Sequence, residues 1–179
     1  MFSGCTSLTA AVALPATTLD TACYSAMFAS CTSLSTPPAE LPATTLAGTC
    51  YYNMFRNCSS LTAIPTMPTF TPGAQCCRGM FEGCTSLTGE VVISLNPFAS
   101  IASNMFSLMF NGCAGLTKVT LDFTLYSSVP TLGNVNAVQV FGTTTASDSR
   151  FEIRVPAALE ATWKTSSNWS TYASRIVGV

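Results

Sequence analysis

The 179-residue chain contains no histidine, and this absence removes several kinds of catalytic and metal site. A cysteine nucleophile needs a histidine or an equivalent base to activate it. The usual zinc sites combine histidines with cysteines at Cys-x-x-Cys spacing, and no Cys-x-x-Cys pair occurs in the chain. The sequence therefore predicts no cysteine-based catalysis, no metal site and no cofactor.

Charge is also scarce. Only 8% of the residues are Asp, Glu, Lys or Arg, against roughly 25% in an average domain. Seven basic and eight acidic residues leave a net charge of −1, so no positive field exists to hold phosphates and we expect no nucleic-acid partner. No apolar run approaches the roughly 18 to 20 residues of a membrane helix, so we expect no membrane insertion.

The chain is instead dominated by one short motif, Met-Phe-x-x-Cys-x-x-Leu, which occurs five times. Its copies begin at Met1, Met27, Met54, Met80 and Met109. A spacing that stays close to 26 residues indicates a repeat architecture, because periods of 20 to 50 residues are typical of stacked repeats.

Each repeat predicts a helix followed by a short strand. In the second full repeat, Leu46, Cys50, Met54 and Cys58 recur at steps of four, as one apolar stripe of a helix would. The clearest strand is 116–123, in which Val119, Leu121 and Phe123 alternate with polar residues, and 91–95 is the next best.

One strand and one helix in about 26 residues is the leucine-rich-repeat arrangement. The predicted fold class is therefore an α/β repeat: a leucine-rich-repeat solenoid of about five strand–helix coils with a C-terminal cap. Residues 1–123 form the repeats in this interpretation, and 124–179 form an atypical last repeat and the cap. Within the cap, 137–141 and 151–155 are predicted as paired strands, 142–149 as a turn-rich connection and 156–164 as a helix.

The nine cysteines are predicted to be reduced structural thiols. Eight of them hold fixed positions in the repeat, and Met105 replaces a cysteine in the last copy, as a core position allows. Packed helices lie about 8–10 Å apart, which exceeds the roughly 7 Å limit between Cα atoms for a disulfide.

The motif, the spacer Leu-Pro-Ala-Thr-Thr-Leu and the ending Val155-Pro156…Trp163…Trp169-Ser170-Thr171-Tyr172 resemble the BspA-like, or Treponema pallidum-type, leucine-rich repeats. The resemblance implies a curved solenoid with strands on its concave side. Members of that family are commonly surface-exposed or secreted bacterial proteins, several of them regarded as adhesins, and similar repeats occur in bacteriophage proteins. The family pattern carries no catalytic residues.

Met1 and Phe2 correspond to the middle of a repeat, so we expect missing residues or another chain to cover the N-terminal end. Hydrolysis by the paired carboxylates of Glu90 and Asp122, on neighbouring predicted strands, is a formal alternative to a binding function.

The remaining functional surface is the outward face of the strands. With Leu116 and Val119 as inward markers, six residues are predicted to face outward: Glu90, Val92, Ser94, Lys118, Thr120 and Asp122. Solenoids commonly bind ligands on such a face. The sequence therefore predicts a non-enzymatic binding or adhesion module that recognises protein or glycan, extracellular or at a cell surface. The alternative is a structural or receptor-binding component of a bacteriophage particle, located in the virion.

Overall fold

The computed structural model describes residues 1–142 and 148–179. Its strands are β1 (Gly89–Ser94), β2 (Ser100–Ile101), β3 (Leu116–Asp122), β4 (Thr131–Leu132), β5 (Phe151–Val155) and β6 (Ile176–Gly178). Helical structure in these residues is confined to 3-10 helices at Val135–Val138, Ala157–Leu159 and Trp169–Arg175 and to the α-helix α1, Glu160–Thr165. A four-stranded parallel sheet has the order β1-β3-β5-β6, while β2 and β4 pair separately.

The prediction of a leucine-rich-repeat solenoid of strand–helix coils is wrong. The stretches predicted as helices around Met27, Met54, Met80 and Met109 are runs of turns. The first 88 residues contain no strand either. Neighbouring copies there are joined by isolated β-bridges, such as Thr18–Thr45 and Glu40–Thr66, and by further backbone hydrogen bonds between their turns. Regular sheet begins at β1, after the fourth copy of the motif.

The backbone of each copy explains why no helix forms. In the second full repeat, φ is positive at every fourth residue: 56° at Thr49, 53° at Asn53 and 60° at Asn57. A residue with positive φ reverses the winding of the chain, so a right-handed helix cannot continue through it. Each such residue instead lies within a four-residue turn; around Asn53, Met54 N–H donates to the Tyr51 carbonyl at 3.1 Å.

The amides of each copy alternate between two partners. Phe55 N–H donates to the Met80 carbonyl of the next copy at 2.8 Å, whereas its neighbour Met54 donates within its own turn. The preceding copy repeats this arrangement, with Phe28 N–H donating to the Met54 carbonyl at 2.9 Å. Buried backbone N–H groups need hydrogen-bond partners. The alternation provides one for each of these amides, and the bonds between copies hold neighbouring copies side by side.

Like residues of neighbouring copies consequently lie in contact. A phenylalanine ladder runs through all five copies, with ring centroids 5.4–5.6 Å apart and ring planes within 11° of parallel; its members are Phe2, Phe28, Phe55, Phe81 and Phe110. Such offset stacking is a favourable arrangement of aromatic rings. The ladder is the central column of the core.

The cysteines of the motif form a second column. Cys58 Sγ donates to the Phe28 carbonyl at 3.1 Å, and Cys84 Sγ donates to the Phe55 carbonyl at 3.1 Å. The prediction of core positions is confirmed for seven of the nine cysteines; Cys5 and Cys23 are exposed. The distance argument from packed helices is wrong, because the copies are joined directly by backbone hydrogen bonds.

Three of the four predicted strands are confirmed. Strands predicted at 91–95, 116–123 and 151–155 are confirmed as β1, β3 and β5. The strand predicted at 137–141 is wrong: a 3-10 helix, Val135–Val138, covers its start, and β5 pairs with β3 and β6 instead. Of the predicted turn-rich connection, residues 143–147 lie outside the described part of the chain.

The helix predicted at 156–164 is confirmed in part, as the 3-10 helix Ala157–Leu159 followed by α1. It brings Trp163 onto Trp169, with ring centroids 4.5 Å apart. Phe123, just after β3, packs against both indoles at 5.1 and 5.5 Å. This aromatic cluster holds the last strands against the end of the repeats.

Candidate binding surface

The register of β1 against β3 brings the six predicted site residues together as three cross-strand pairs. These pairs are Glu90 with Lys118, Val92 with Thr120 and Ser94 with Asp122. The intervening residues, including Ile93 and Leu121, are buried on the opposite side. The six residues and their neighbours Glu152 and Arg154 on β5 are called the sheet face below.

The sheet face is only partly open to solvent. Glu90 and Val92 are exposed, Ser94, Lys118 and Asp122 are half-buried, and Thr120 is only 1% exposed. Thr120 therefore lies on the sheet face but offers a ligand almost no accessible surface. Its side chain lies in register between Val92 on β1 and Glu152 on β5, so it is flanked on both sides.

Strand β5 supplies two residues that the sequence reasoning missed. Glu152 pairs in register with Thr120, and Arg154 pairs with Asp122. The alternation of 151–155 already indicated a strand with these two side chains on one face. They were missed because that strand was predicted to pair with 137–141 and not with β3.

An ion-pair network joins β3 to β5 at the centre of the sheet face. Lys118 Nζ lies 2.7 Å from Glu152 Oε2, and Arg154 Nε lies 2.7 Å from Glu152 Oε1. Burial alone would raise the pKa of Glu152, but the hydrogen bonds from Lys118 and Arg154 outweigh it and lower the pKa. Glu152 is therefore a fixed anion that holds two cationic side chains in place.

A groove of about 290 Å³ lies beside this network. Charged side chains of both signs and several hydroxyls line it, among them Thr117, Lys118, Ser149, Glu152, Ser174 and Arg175. The groove therefore offers hydrogen-bond donors and acceptors in a small area. Such an arrangement can recognise a polar ligand that itself carries both kinds of group.

The far end of the sheet face is built differently. Asp122 Oδ1 accepts the Thr124 N–H at 2.9 Å and so closes the turn after β3. A depression of about 190 Å³ lies here between Ser94, Asp122 and Leu125, and Leu125 is 59% exposed. Asp122 thus has a structural role in addition to its place on the face.

The register separates the two carboxylates considered for hydrolysis. Glu90 pairs with Lys118, whereas Asp122 lies four residues further along β3. At about 3.3 Å per residue the two positions are about 13 Å apart, beyond the roughly 5–9.5 Å at which carboxylate pairs hydrolyse glycosides. The structure does not bring this pair together.

Residues 1–142 and 148–179 carry neither a metal-binding cluster nor a membrane-spanning helix. No group of three or more Asp, Glu or Cys residues in them has the arrangement to hold a metal ion. None of their helices is long and apolar enough to cross a membrane. Comparison of the chain with protein-family models, curated proteins and solved structures found no match.

Proposed function

We propose that the chain is a non-enzymatic binding module and that its ligand, a protein or a glycan, docks on the sheet face. The observation that carries the proposal is the Lys118–Glu152–Arg154 network beside a polar groove. The three side chains remain partly exposed, at 31% for Lys118, 21% for Glu152 and 36% for Arg154, and ion pairs near the surface contribute little to stability, about 0–1 kcal/mol. Three charges concentrated on one face of a chain with only 15 charged residues therefore favour recognition over folding as their role.

The motif resemblance extends the proposal to location and biological setting. It favours an extracellular or cell-surface bacterial protein that adheres to its ligand, with a bacteriophage particle as the alternative. A homotrimer in solution would favour the particle, and a monomer would favour the adhesion module.

Binding is tested on a printed glycan array and a panel of immobilised extracellular proteins. The perturbing variant is Lys118→Glu, which reverses one charge at the centre of the sheet face. Arg56→Glu is the matched control, because Arg56 also forms an ion pair, 2.9 Å from Glu82, but between turn segments away from the sheet.

We expect the wild-type chain to bind at least one probe. Lys118→Glu should weaken that binding by about tenfold or more, since close charge pairs at interfaces contribute more than 1 kcal/mol. Arg56→Glu should leave it unchanged. Equal loss in both variants, or full binding by Lys118→Glu, would show that the ligand docks elsewhere.

A further inference from the structure

Two adjacent buried thiols, Cys76 and Cys77, are a feature that the binding function does not use. Their Sγ atoms lie 3.6 Å apart, and both residues are 0% exposed. The same two positions hold Cys-Tyr in the two preceding copies and Met-Phe in the following one. The fourth copy, which continues into Met80, is therefore the only one in which two thiols lie side by side at this point.

The peptide unit between these cysteines joins three copies of the repeat. The Cys76 carbonyl accepts the Tyr51 N–H of the preceding copy at 2.9 Å. Cys77 N–H donates to the Met105 carbonyl of the following copy at 3.2 Å. A change in the orientation of this peptide would break hydrogen bonds on both sides.

We propose that Cys76 and Cys77 are a redox modification site. A hydroperoxide oxidises the two thiols to a disulfide, and this bond loosens the stack of repeat copies. One sulfur attacks the peroxide, the O–O bond breaks, and a sulfenic acid and an alcohol form. The second thiol then displaces water as the S–S bond closes. The two thiols lose two electrons and two protons in total, and the peroxide takes them up.

The geometry of neighbouring residues makes this bond disruptive and reversible. Consecutive Cα atoms are about 3.8 Å apart, which is shorter than the usual disulfide span of about 4.4–6.8 Å. The connecting peptide must therefore turn out of its native orientation as the bond forms. Strained disulfides are also the ones that thiols reduce readily.

Burial makes the site conditional on local opening. Hydrogen bonding to Cys76 and burial raise the pKa of Cys77, so its sulfur stays protonated and unreactive while the stack is closed. When the fourth and fifth copies separate, the two thiols become accessible to the oxidant. The disulfide then prevents the native hydrogen bonds from reforming until a thiol reduces it.

The test uses the full chain with Cys5→Ser and Cys23→Ser, which removes the two exposed thiols. The protein is incubated with tert-butyl hydroperoxide, mapped by mass spectrometry, and followed by amide hydrogen exchange. We expect a peptide in which Cys76 and Cys77 have together lost two hydrogens. Exchange at the Tyr51 and Cys77 amides should accelerate about tenfold or more and recover with dithiothreitol.

The controls replace either cysteine with the residue that another copy carries. Cys77→Tyr corresponds to Tyr51, and Cys76→Met corresponds to Met105; either variant alone suffices if the other does not fold. Peroxide should leave exchange in both unchanged. A bridge from Cys76 to Cys50, no bridge at all, or a Cys76–Cys77 disulfide with unaltered exchange would overturn the proposal.

Discussion

Truncating Phe55 tests the phenylalanine ladder, because this ring has a stacked neighbour on each side. Phe28 and Phe81 both lie 5.4 Å from it, and Phe55 is 0% exposed. Replacing a buried phenylalanine with alanine costs about 3–5 kcal/mol. Each lost aromatic pair contributes about 0.5–1.5 kcal/mol of that total, so Phe55→Ala should fall near the upper end.

Phe2→Ala is the matched control. Phe2 holds the same ladder position in the first copy, but it has one described ring neighbour, Phe28 at 5.6 Å, and it is only half-buried. We expect it to cost about 1–2 kcal/mol, in proportion to its smaller buried area. Urea unfolding followed by circular dichroism gives both values, and Phe55→Leu serves if the alanine variant does not fold. Equal losses at Phe2 and Phe55 would refute the ladder as the central column of the core.

Three further predictions follow from the packing of the copies. Under native conditions iodoacetamide should label only Cys5 and Cys23, whereas after denaturation it should label all nine cysteines, as counted by mass spectrometry. Labelling of Cys58 in the native protein would contradict the buried column of motif cysteines. Gly73→Ala should lower the free energy of unfolding by about 1–3 kcal/mol through overpacking, because the added Cβ would lie 2.3 Å from the Leu46 carbonyl oxygen. The control Gly48→Ala, whose Cβ would have no atom nearer than 3.6 Å, should be close to neutral in the same urea unfolding measurement. The free energy of unfolding should fall as pH rises from about 9 towards 12, because burial raises the pKa of Cys58 to about 12 while the thiol of the unfolded chain ionises near its ordinary pKa. The Cys58→Ala variant should show a shallower decline. Identical pH profiles in the two proteins would exclude ionisation of Cys58 as the cause.

The strands were predictable because a half-buried strand leaves an unambiguous alternation in the sequence. Apolar residues occupy every second position throughout β5 and, in β3, from Val119 onward, and no other regular structure has that period. Which strands pair was not predictable, because pairing depends on contacts between distant segments. That is why Glu152 and Arg154 were absent from the predicted site.

The helices were mispredicted because a ladder of turns has nearly the same period. A left-handed residue at every fourth position returns the chain to the same face, so Cys50, Met54 and Cys58 point inward at steps of four. An α-helix turns every 3.6 residues, and two steps of four residues are too few to distinguish the two periods.

A distinguishing signal was present but weak. Glycine and asparagine are the residues that most readily adopt positive φ, and they occupy positions such as Asn53, Asn57, Gly79 and Gly83. The first full repeat places Ala22, Ala26 and Ser30 there instead. Because alanine favours helices, that copy concealed the pattern.

The alternation of amide partners is the feature that distinguishes this fold from a helical repeat, and NMR couplings across hydrogen bonds test it directly. A long-range HNCO experiment on the labelled chain reports which carbonyl carbon each amide nitrogen is bonded to. We expect the Phe55 nitrogen to couple to the Met80 carbonyl carbon, 25 residues away, and the Met54 nitrogen to couple to the Tyr51 carbonyl carbon. Coupling of the Phe55 nitrogen to Tyr51, four residues back as in an α-helix, would contradict it.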